Sequence, residues 1–409
     1  MNFRPVVVFS GLALTVASLT AAAEESSLAY VRTDLVANRT GVAVAPASVL
    51  TIDPDLLNPW GIAFGNGPVW TSNNNSASST LYNGVGARAG KFGTPTSPTG
   101  IISNTNSSAA LLKYISPAFT TVATPSAPSV MKPAVVVNAA FVWSHEDGEI
   151  SAWAGTQNNP AAAVTVVSAD ASRVYKGLGF ATNGKLPFLY AADFKGGKID
   201  VYFASTAAAV AAVPATASTP AAPAIPTATS FAPVPLDGSV LACNFSNPHL
   251  PKGYAPFNVE AVADDLVVTY ALQADMNGNE MAGPGLGRAA VFTADGCLVR
   301  ELEDRGALNA PWGIALAPVS FGRHGGALLI GNFGSGTIST FDLANGEYRG
   351  DLKDAKGTTI TIDGLWGLSF GNGARFQPGN TLFYAAGPNG EADGLYGRID
   401  AVKGAGSND

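Results

Sequence analysis

One loop near the end of the chain carries side-chain oxygens at nearly alternate positions. Asn389, Glu391 and Asp393 precede Gly394, and Asp400 stands at the twelfth position of the segment. Oxygen ligands at this spacing, followed by glycine, are typical of a calcium loop. The residues after Gly394 alternate like a strand, which argues against the entering helix of an EF-hand. The loop therefore predicts Ca²⁺ bound in a hairpin, with ordinary turn formation by Asn and Asp as the alternative.

Four further polar residues have the chemistry of an enzyme site. Glu260 lies in an otherwise apolar segment, where a carboxylate is costly unless it is paired or binds a metal. His145 stands in a turn beside two carboxylates and is a candidate general base, while Asp193 and Asn332 follow predicted strands. Together they suggest a calcium-assisted hydrolase, lactonase or lyase, in which Ca²⁺ polarises a carbonyl and His145 or a carboxylate moves the proton. The alternatives are a paired structural glutamate and a solvated turn histidine.

Composition excludes several other functions. The 23 basic and 30 acidic residues give a net charge of −7, which argues against a nucleic-acid surface. The chain has no H-E-x-x-H zinc motif and no glycine-rich phosphate loop, so no organic cofactor is implied. Charged residues are 13% of the chain, whereas glycines number 46 and prolines 27. This composition predicts frequent turns and few long helices.

A short repeat indicates the elements that must position these residues. Copies of a Pro-Trp-Gly-Ile-Ala segment occur, with declining similarity, at Pro59–Ala63, Pro311–Ala315, Leu365–Phe370, Tyr175–Phe180 and Pro256–Val262. The steps from Phe257 to Trp312 and from Trp312 to Trp366 are 55 and 54 residues. Six predicted hairpins are centred near Trp70, Trp143, Tyr190, Thr269, Ile330 and Phe383. Four antiparallel strands in about 45–55 residues is the size of a propeller blade, so the sequence predicts an all-β, six-bladed β-propeller.

The two ends of the chain are predicted to close this propeller. Residues 28–36 resemble a strand without a nearby hairpin partner, so we expect them to complete the last blade beside Gly397–Val402. One propeller domain then extends over residues 24–402. Residues 204–235 are rich in Ala, Pro, Thr and Ser, and they predict a low-complexity insertion at the surface. The segment Thr94–Pro133 is similar, although its few apolar residues could form a strand.

The turns of propeller blades line the mouths of a central channel. Residues at the corresponding turn of each hairpin are Asn73, Ser144, His145, Asp193, Gln273, Asn332 and the loop Asn389–Asp393. We therefore predict a protein that binds a small ligand or a protein partner at one mouth, with Ca²⁺ as the candidate metal. The calcium-assisted enzyme is the alternative, and a structural envelope module is a third possibility, because the fold does not decide between them.

Four segments carry a resemblance to a known family: Leu57–Ala63, Gly253–Asn258, Ala282–Gly285 and Ala386–Gly397. In these segments the chain resembles a family of exported bacterial proteins of undefined activity, related to NHL-repeat propellers. The resemblance implies a six-bladed, NHL-like propeller and export. It brings no set of catalytic residues to this chain.

The first 23 residues have the features of a signal peptide. Arg4 supplies positive charge, Val6–Leu19 is apolar, and Ala21–Ala23 is a small-residue cleavage site. The apolar run is shorter than the roughly 20 residues of a membrane-spanning helix. We expect a periplasmic or secreted monomer without a membrane span, ending in a polar tail at residues 403–409.

Export permits a disulfide, and the chain contains two cysteines, Cys243 and Cys297. They lack the C-x-x-C spacing of a zinc site. We predict one disulfide between them, with two separate buried thiols as the alternative.

Overall fold

Six antiparallel sheets form the blades of a β-propeller, as the sequence predicts. The computed structural model describes residues 28–42, 45, 48, 50–104, 113–116, 119–120, 131–132, 135–155, 162–184, 186–203 and 231–403. The predicted signal peptide, residues 204–230 of the predicted insertion and residues 404–409 lie outside the described residues.

Each blade is built from four principal strands, of which the first borders the channel and the last lies at the rim. Blade 1 comprises Pro59–Phe64, Val69–Asn73, Ser78–Tyr82 and Arg88–Gly93. Blade 2 comprises Pro98–Ser103, Phe141–His145, Ile150–Trp153 and Val164–Val167. Blade 3 comprises Tyr175–Thr182, Pro187–Asp193, Lys198–Phe203 and Ala232–Pro233.

The second half of the ring repeats this plan. Blade 4 comprises Tyr254–Val262, Asp265–Gln273, Gly287–Thr293 and Leu298–Glu301. Blade 5 comprises Pro311–Leu316, Leu328–Asn332, Ile338–Phe341 and Tyr348–Asp351. Blade 6 comprises Leu365–Phe370, Thr381–Ala386, Leu395–Lys403 and Leu28–Ala37.

Short elements complete the described structure. The remaining strands are Thr51–Ile52, Lys113–Ser116, Phe119–Thr120, Met131–Lys132, Val135–Asn138 and Glu280–Met281. Two 3₁₀ turns occur at Asn74–Ser76 and Gly322–His324. No helix in the described part of the chain is long and apolar enough to span a membrane.

The inner strands form the wall of the central channel, since each contacts the inner strand of the next blade and blade 6 returns to blade 1. The Trp-Gly repeat permits this close approach. A Cβ atom on Gly313 would lie 2.5 Å from the carbonyl oxygen of Trp366, and one on Gly367 would lie 2.5 Å from that of Trp60. Side chains larger than hydrogen therefore cannot occupy these two positions without displacing the neighbouring blade.

A β-bulge interrupts the pairing of the first two strands in every blade. A bulge re-aims the side chain of the residue it leaves unpaired. The residues at this position of the repeat are Trp60, Thr99, Lys176, Phe257, Trp312 and Trp366. Five of these six side chains meet at the axis, and one of the five is a lysine.

The N-terminal strand closes the ring, which confirms the predicted closure. Leu28–Ala37 pairs antiparallel with Leu395–Lys403, with Asp34 opposite Gly397. The buried carboxylate of Asp34 accepts two hydrogen bonds from Arg32 and one from the Tyr384 hydroxyl. The last blade is therefore held by polar contacts as well as by its ladder.

The segment Thr94–Pro133 contains more blade structure than its composition indicates. Pro98–Ser103 is the inner strand of blade 2, although it has Thr99 where three other blades have tryptophan. Gly100 keeps the close approach of the repeat, because a Cβ there would lie 2.7 Å from the Leu178 nitrogen. This copy keeps the proline, glycine and isoleucine of the repeat, and it is hard to recognise because Thr99 replaces the tryptophan. At the other predicted insertion, blade 3 resumes with its outer strand at Ala232–Pro233.

A disulfide joins Cys243 to Cys297, as predicted. It ties the segment before blade 4 to the turn between the third and fourth strands of that blade.

Candidate functional site

An aromatic plug, defined as Trp60, Phe257, Trp312 and Trp366, fills the channel at the level of the bulges. The rings of Trp60 and Trp366 stack with centroids 3.6 Å apart, and Trp312 meets Trp60 edge-on at 6.0 Å. The four side chains are at most 3% exposed. The tryptophans of the repeat therefore pack the blades together and offer no free face to a ligand.

Lys176 is the charged member of this ring of positions. Its ammonium lies 4.7 Å from the centre of the Trp60 ring, and its side chain is 3% exposed. Glu146 Oε1 is 2.7 Å from Nζ and Glu280 Oε2 is 3.5 Å away. Burial alone would lower the pKa of Lys176, but the charges of Glu280 and Glu146 outweigh it and raise the pKa. The lysine is therefore a fixed positive charge beside the plug.

Glu391 brings a third carboxylate to the same place. Its Oε2 accepts a hydrogen bond of 2.8 Å from Asn58 Nδ2, and Asn58 Oδ1 accepts one of 3.1 Å from Trp366 Nε1. Burial raises the pKa of Glu391, and the charge of Glu280 raises it further, although the Asn58 bond and Lys176 oppose the shift. We call Lys176, Glu146, Glu280 and Glu391 the glutamate mouth.

The loops between second and third strands supply the three glutamates. Glu146, Glu280 and Glu391 belong to blades 2, 4 and 6, and each is half-buried. Asn74 of blade 1 steadies Glu146 through a 3.1 Å hydrogen bond to Oε2. The candidate residues were predicted at this turn of the blade, but Glu146 and Glu280 were not among them.

Glu391 sits in an unusual backbone conformation. Its φ is 67°, in the left-handed region, as are those of Asn389 and Gly390. A side chain other than glycine costs about 1–2 kcal/mol there. Asn75 Nδ2 donates a 2.8 Å hydrogen bond to the Glu391 carbonyl and helps to hold this shape. The chain thus keeps a carboxylate at a position that favours glycine.

The four residues predicted to bind calcium do not come together. The Asp393 carboxylate is held by Arg39 at 2.7 and 2.6 Å and accepts a hydrogen bond from Asn389. The bond from Arg39 is the main reason that the pKa of Asp393 falls to about 2. Asp400 lies seven residues further along Leu395–Lys403, about 20 Å away at the rise of a strand, and binds Thr381. Of the four, Glu391 alone belongs to the glutamate mouth.

His145 is fully buried, which overturns the expectation of a solvated turn histidine. Its Nδ1 lies 2.9 Å from the Thr96 carbonyl and its Nε2 lies 2.7 Å from the Ser151 hydroxyl. Burial lowers its pKa to about 4. The ring is therefore neutral near pH 7, and both nitrogens are engaged within blade 2 and the turn before it.

Asp193 and Asn332 end the second strands of blades 3 and 5, where both are buried. Asp193 Oδ1 accepts hydrogen bonds from the backbone N–H groups of Val174 and Gly196. Asn332 Oδ1 accepts one from the Asn309 N–H. Each side chain thus fastens a turn of its own blade to the preceding loop, which is the turn-forming role weighed as the alternative.

Glu260 lies toward the opposite end of the channel. It pairs with Val267 in the second strand of blade 4, six residues before Gln273 and so about 20 Å from the end that carries the glutamate mouth. Burial raises the pKa of Glu260 to about 8. The predicted catalytic set is therefore split between the two ends of the channel.

Sequence reasoning missed Lys176, Glu146 and Glu280. The repeat did hold a signal for the lysine, because Tyr175-Lys176-Gly177 aligns with Pro311-Trp312-Gly313 and replaces its tryptophan with a charge. No local pattern marks the two glutamates. Within the described residues, no group of three or more His, Cys, Asp or Glu side chains is arranged to hold a metal ion.

The chain also contains a serine motif, and the structure shows which element carries it. Gly367-Leu368-Ser369-Phe370-Gly371 has the G-x-S-x-G spacing of a nucleophile elbow. Ser369 lies within the inner strand Leu365–Phe370, however, and not at a strand-to-helix turn. The segment therefore does not form an elbow.

Comparisons with known proteins give relatives without an assigned activity. No family model matches the chain. An uncharacterized protein of Acanthamoeba polyphaga mimivirus is 30% identical over 379 residues, covering 89% of this chain and 78% of the relative. A second uncharacterized protein of the same virus is 28% identical over 366 residues, covering 85% of this chain and 81% of the relative.

Similar solved structures are more distant. A streptogramin B lyase is 12% identical, with a TM-score of 0.44 over 92% of this chain and 98% of that one. A structural genomics protein of unknown function from Bacteroides thetaiotaomicron is 9% identical, with a TM-score of 0.48 over 91% of this chain and 76% of that one.

Proposed function

The chain belongs to the family of the uncharacterized mimivirus protein that shares 30% of its residues, and we propose that its six-bladed propeller binds a small organic cation at the glutamate mouth. One observation carries the proposal: three glutamates surround a single lysine beside the aromatic plug. The ligand would enter among the loops of blades 2, 4 and 6.

The charge balance of the glutamate mouth supports a cationic ligand. Three carboxylates and one ammonium leave a formal charge of −2, because 1 − 3 = −2. Within the described part of the chain, Lys176 is the one cation paired with these glutamates. Unit charges about 4 Å apart near a protein surface interact by about 4 kcal/mol. A bound cation would relieve this repulsion and would lower the raised pKa of Glu391.

An organic cation fits these surroundings better than a metal ion. The glutamates are not arranged as a ligand set for a metal within the described residues. Phe333, in the corresponding loop of blade 5, is half-buried and stacks on Trp366 at 4.0 Å. An aromatic face beside carboxylates is the environment in which proteins hold amines and guanidinium groups.

Calcium binding, and with it the calcium-assisted hydrolase, lactonase or lyase, stays a prediction from the sequence and competes with the organic cation. Export and the NHL-like relationship also remain proposals. The Cys243–Cys297 disulfide supports export, because disulfides persist in oxidising compartments.

Titration calorimetry at low ionic strength tests the proposed ligand. We expect 1,4-diaminobutane to bind, 1,4-butanediol of the same length not to bind, and added salt to weaken the diamine. Glu280→Gln should weaken the diamine about tenfold, or about 1.4 kcal/mol. Glu347→Gln, which removes an exposed charge from the outer hairpin of blade 5, serves as the matched control and should leave binding unchanged.

Equal affinity for the diamine and the diol would overturn the proposal. Equal diamine affinities of Glu280→Gln and Glu347→Gln would also overturn it. Calcium chloride is the third titrant. Heat of calcium binding that disappears in Glu391→Gln, without diamine binding, would favour the calcium site instead.

A further inference from the structure

A cavity of about 310 Å³ occupies the end of the channel opposite the glutamate mouth. The C-terminal halves of inner strands line it, and its side chains include Ile62, Phe64, Ile101, Phe180, Phe370 and Glu260. An apolar cavity of about 150 Å³ already admits benzene. The space therefore suffices for a ligand with one ring.

Glu260 is the single ionisable residue among those that line this cavity. The other polar liners, Ser103, Ser369 and Asn372, are uncharged. No hydrogen bond or ion pair joins the Glu260 carboxyl to another of the described residues. The carboxyl group thus has no partner among the described residues, in a cavity whose lining side chains are mainly apolar, which is costly when it is ionised.

The repeat shows that this glutamate is not required by the fold. The residues at the same position in the other five inner strands are Ala63, Ile102, Gly179, Ala315 and Ser369. All five are small or apolar, so the other five blades form without a charged residue at this position. Glu260 is therefore the one charged residue at this position of the repeat, and it lines the cavity.

We propose that this cavity, the Glu260 cavity, binds an apolar primary amine with a single ring, whose ammonium group pairs with the Glu260 carboxylate. The ring would contact the phenylalanines at the ends of three inner strands, Phe64, Phe180 and Phe370. A single carboxylate is too few ligands for a metal ion. One charge in a pocket of this size with mainly apolar side chains instead fits one organic cation with an apolar body.

Binding of the amine is linked to release of a proton. Burial raises the pKa of Glu260 to about 8, so near pH 7 the group is mostly a neutral acid. When the ammonium ion enters, the acid gives its proton to solvent and the carboxylate remains paired with the ammonium, so charge and protons balance. The apparent affinity should therefore rise about tenfold for each pH unit below the pKa and level off above it. No other charged group lines the cavity to obscure this dependence.

Titration calorimetry with benzylamine and with benzyl alcohol as its neutral analogue tests this proposal. Between about pH 6 and about pH 8 we expect benzylamine affinity to rise about fifty-fold and benzyl alcohol affinity to stay constant. Repeating the titration at about pH 6 in buffers of different ionisation enthalpy should show about one proton released for each amine bound.

Glu260→Gln should abolish the proton release and the preference for the amine, while weak binding of benzyl alcohol shows that the cavity is still formed. Glu347→Gln, which removes an exposed charge from the outer hairpin of blade 5, is the matched control and should leave benzylamine binding and the proton release unchanged. Proton release that persists in Glu260→Gln, or equal affinity of the wild type for amine and alcohol, would overturn the inference. So would the absence of benzylamine binding.

Discussion

At the scale of single residues, the charged groups at the axis hold each other in place. Lys176 replaces the tryptophan of the repeat, donates to Glu146 and lies over Trp60. Its backbone carbonyl accepts a 2.9 Å hydrogen bond from Trp312 Nε1. The lysine therefore belongs both to the packing of the plug and to the charge balance of the mouth.

Lys176→Met tests this double role, because methionine keeps the apolar stem and removes the charge. Glu146 and Glu280 would then face each other without a cation. We expect the free energy of unfolding, measured with urea at neutral pH, to fall by about 2–3 kcal/mol. This is less than the cost of breaking a fully buried ion pair, because both glutamates reach solvent. Lys356→Met removes an exposed lysine and should have little effect. Equal losses of unfolding free energy in Lys176→Met and Lys356→Met would show that the charge of Lys176 does not stabilise the fold.

At the scale of elements, the closing strand determines whether the last blade exists. Leu28–Ala37 is its fourth strand, and the loop that follows is tied to blade 6 by the ion pair between Arg39 and Asp393. Without this strand, Leu395–Lys403 becomes an unpaired edge. The apolar face between blades 5 and 6 is then also exposed, since Tyr30 is part of that buried cluster.

Deletion of residues 28–36 should abolish the cooperative thermal transition followed by circular dichroism. Arg39→Gln is the control, since it keeps the strand and removes only the cation that binds Asp393. We expect that control to lose little stability, because the Arg39 side chain is 55% exposed and a solvent-exposed ion pair contributes little, and still to melt cooperatively. A deleted chain that melts like the wild type would rule out this mode of closure.

At the scale of the whole molecule, stability depends on contacts between neighbouring blades. Buried clusters span adjacent blades, as where Tyr190 of blade 3 and Phe292 of blade 4 share one core. The Cys243–Cys297 disulfide spans 54 residues and constrains the long connection between those two blades. Loss of the cross-link should therefore loosen the ring without changing its strands.

Cys243→Ser together with Cys297→Ser should lower the free energy of unfolding by about 3–4 kcal/mol, since closing a loop of this length removes entropy from the unfolded chain. The far-ultraviolet circular dichroism spectrum should stay that of the wild type. Adding a reductant to the wild type should reproduce the loss and should not affect the double variant. An unchanged unfolding midpoint after reduction would contradict the prediction.

The sequence was informative wherever the physics is local or repeated. The repeat predicted five of the six inner strands, in which glycines such as Gly313 and Gly367 must admit the backbone of the next blade, and the hairpins predicted the number of blades. The unpaired first segment predicted the closure, and the two cysteines predicted their bond. The copy in blade 2 was hidden because Thr99 replaces the tryptophan.

What the sequence alone determined is therefore the ring: six blades, five of their inner strands, the closing strand and the disulfide. Only the tertiary structure decided which polar groups meet. Asp393 and Asp400 are close in sequence but separated by most of a strand, whereas Glu146, Glu280 and Glu391 come from alternate blades and converge on one lysine. The physical reason is that closing a sheet radially brings equivalent turns of distant repeats to one axis, and each strand sends its two ends to opposite mouths.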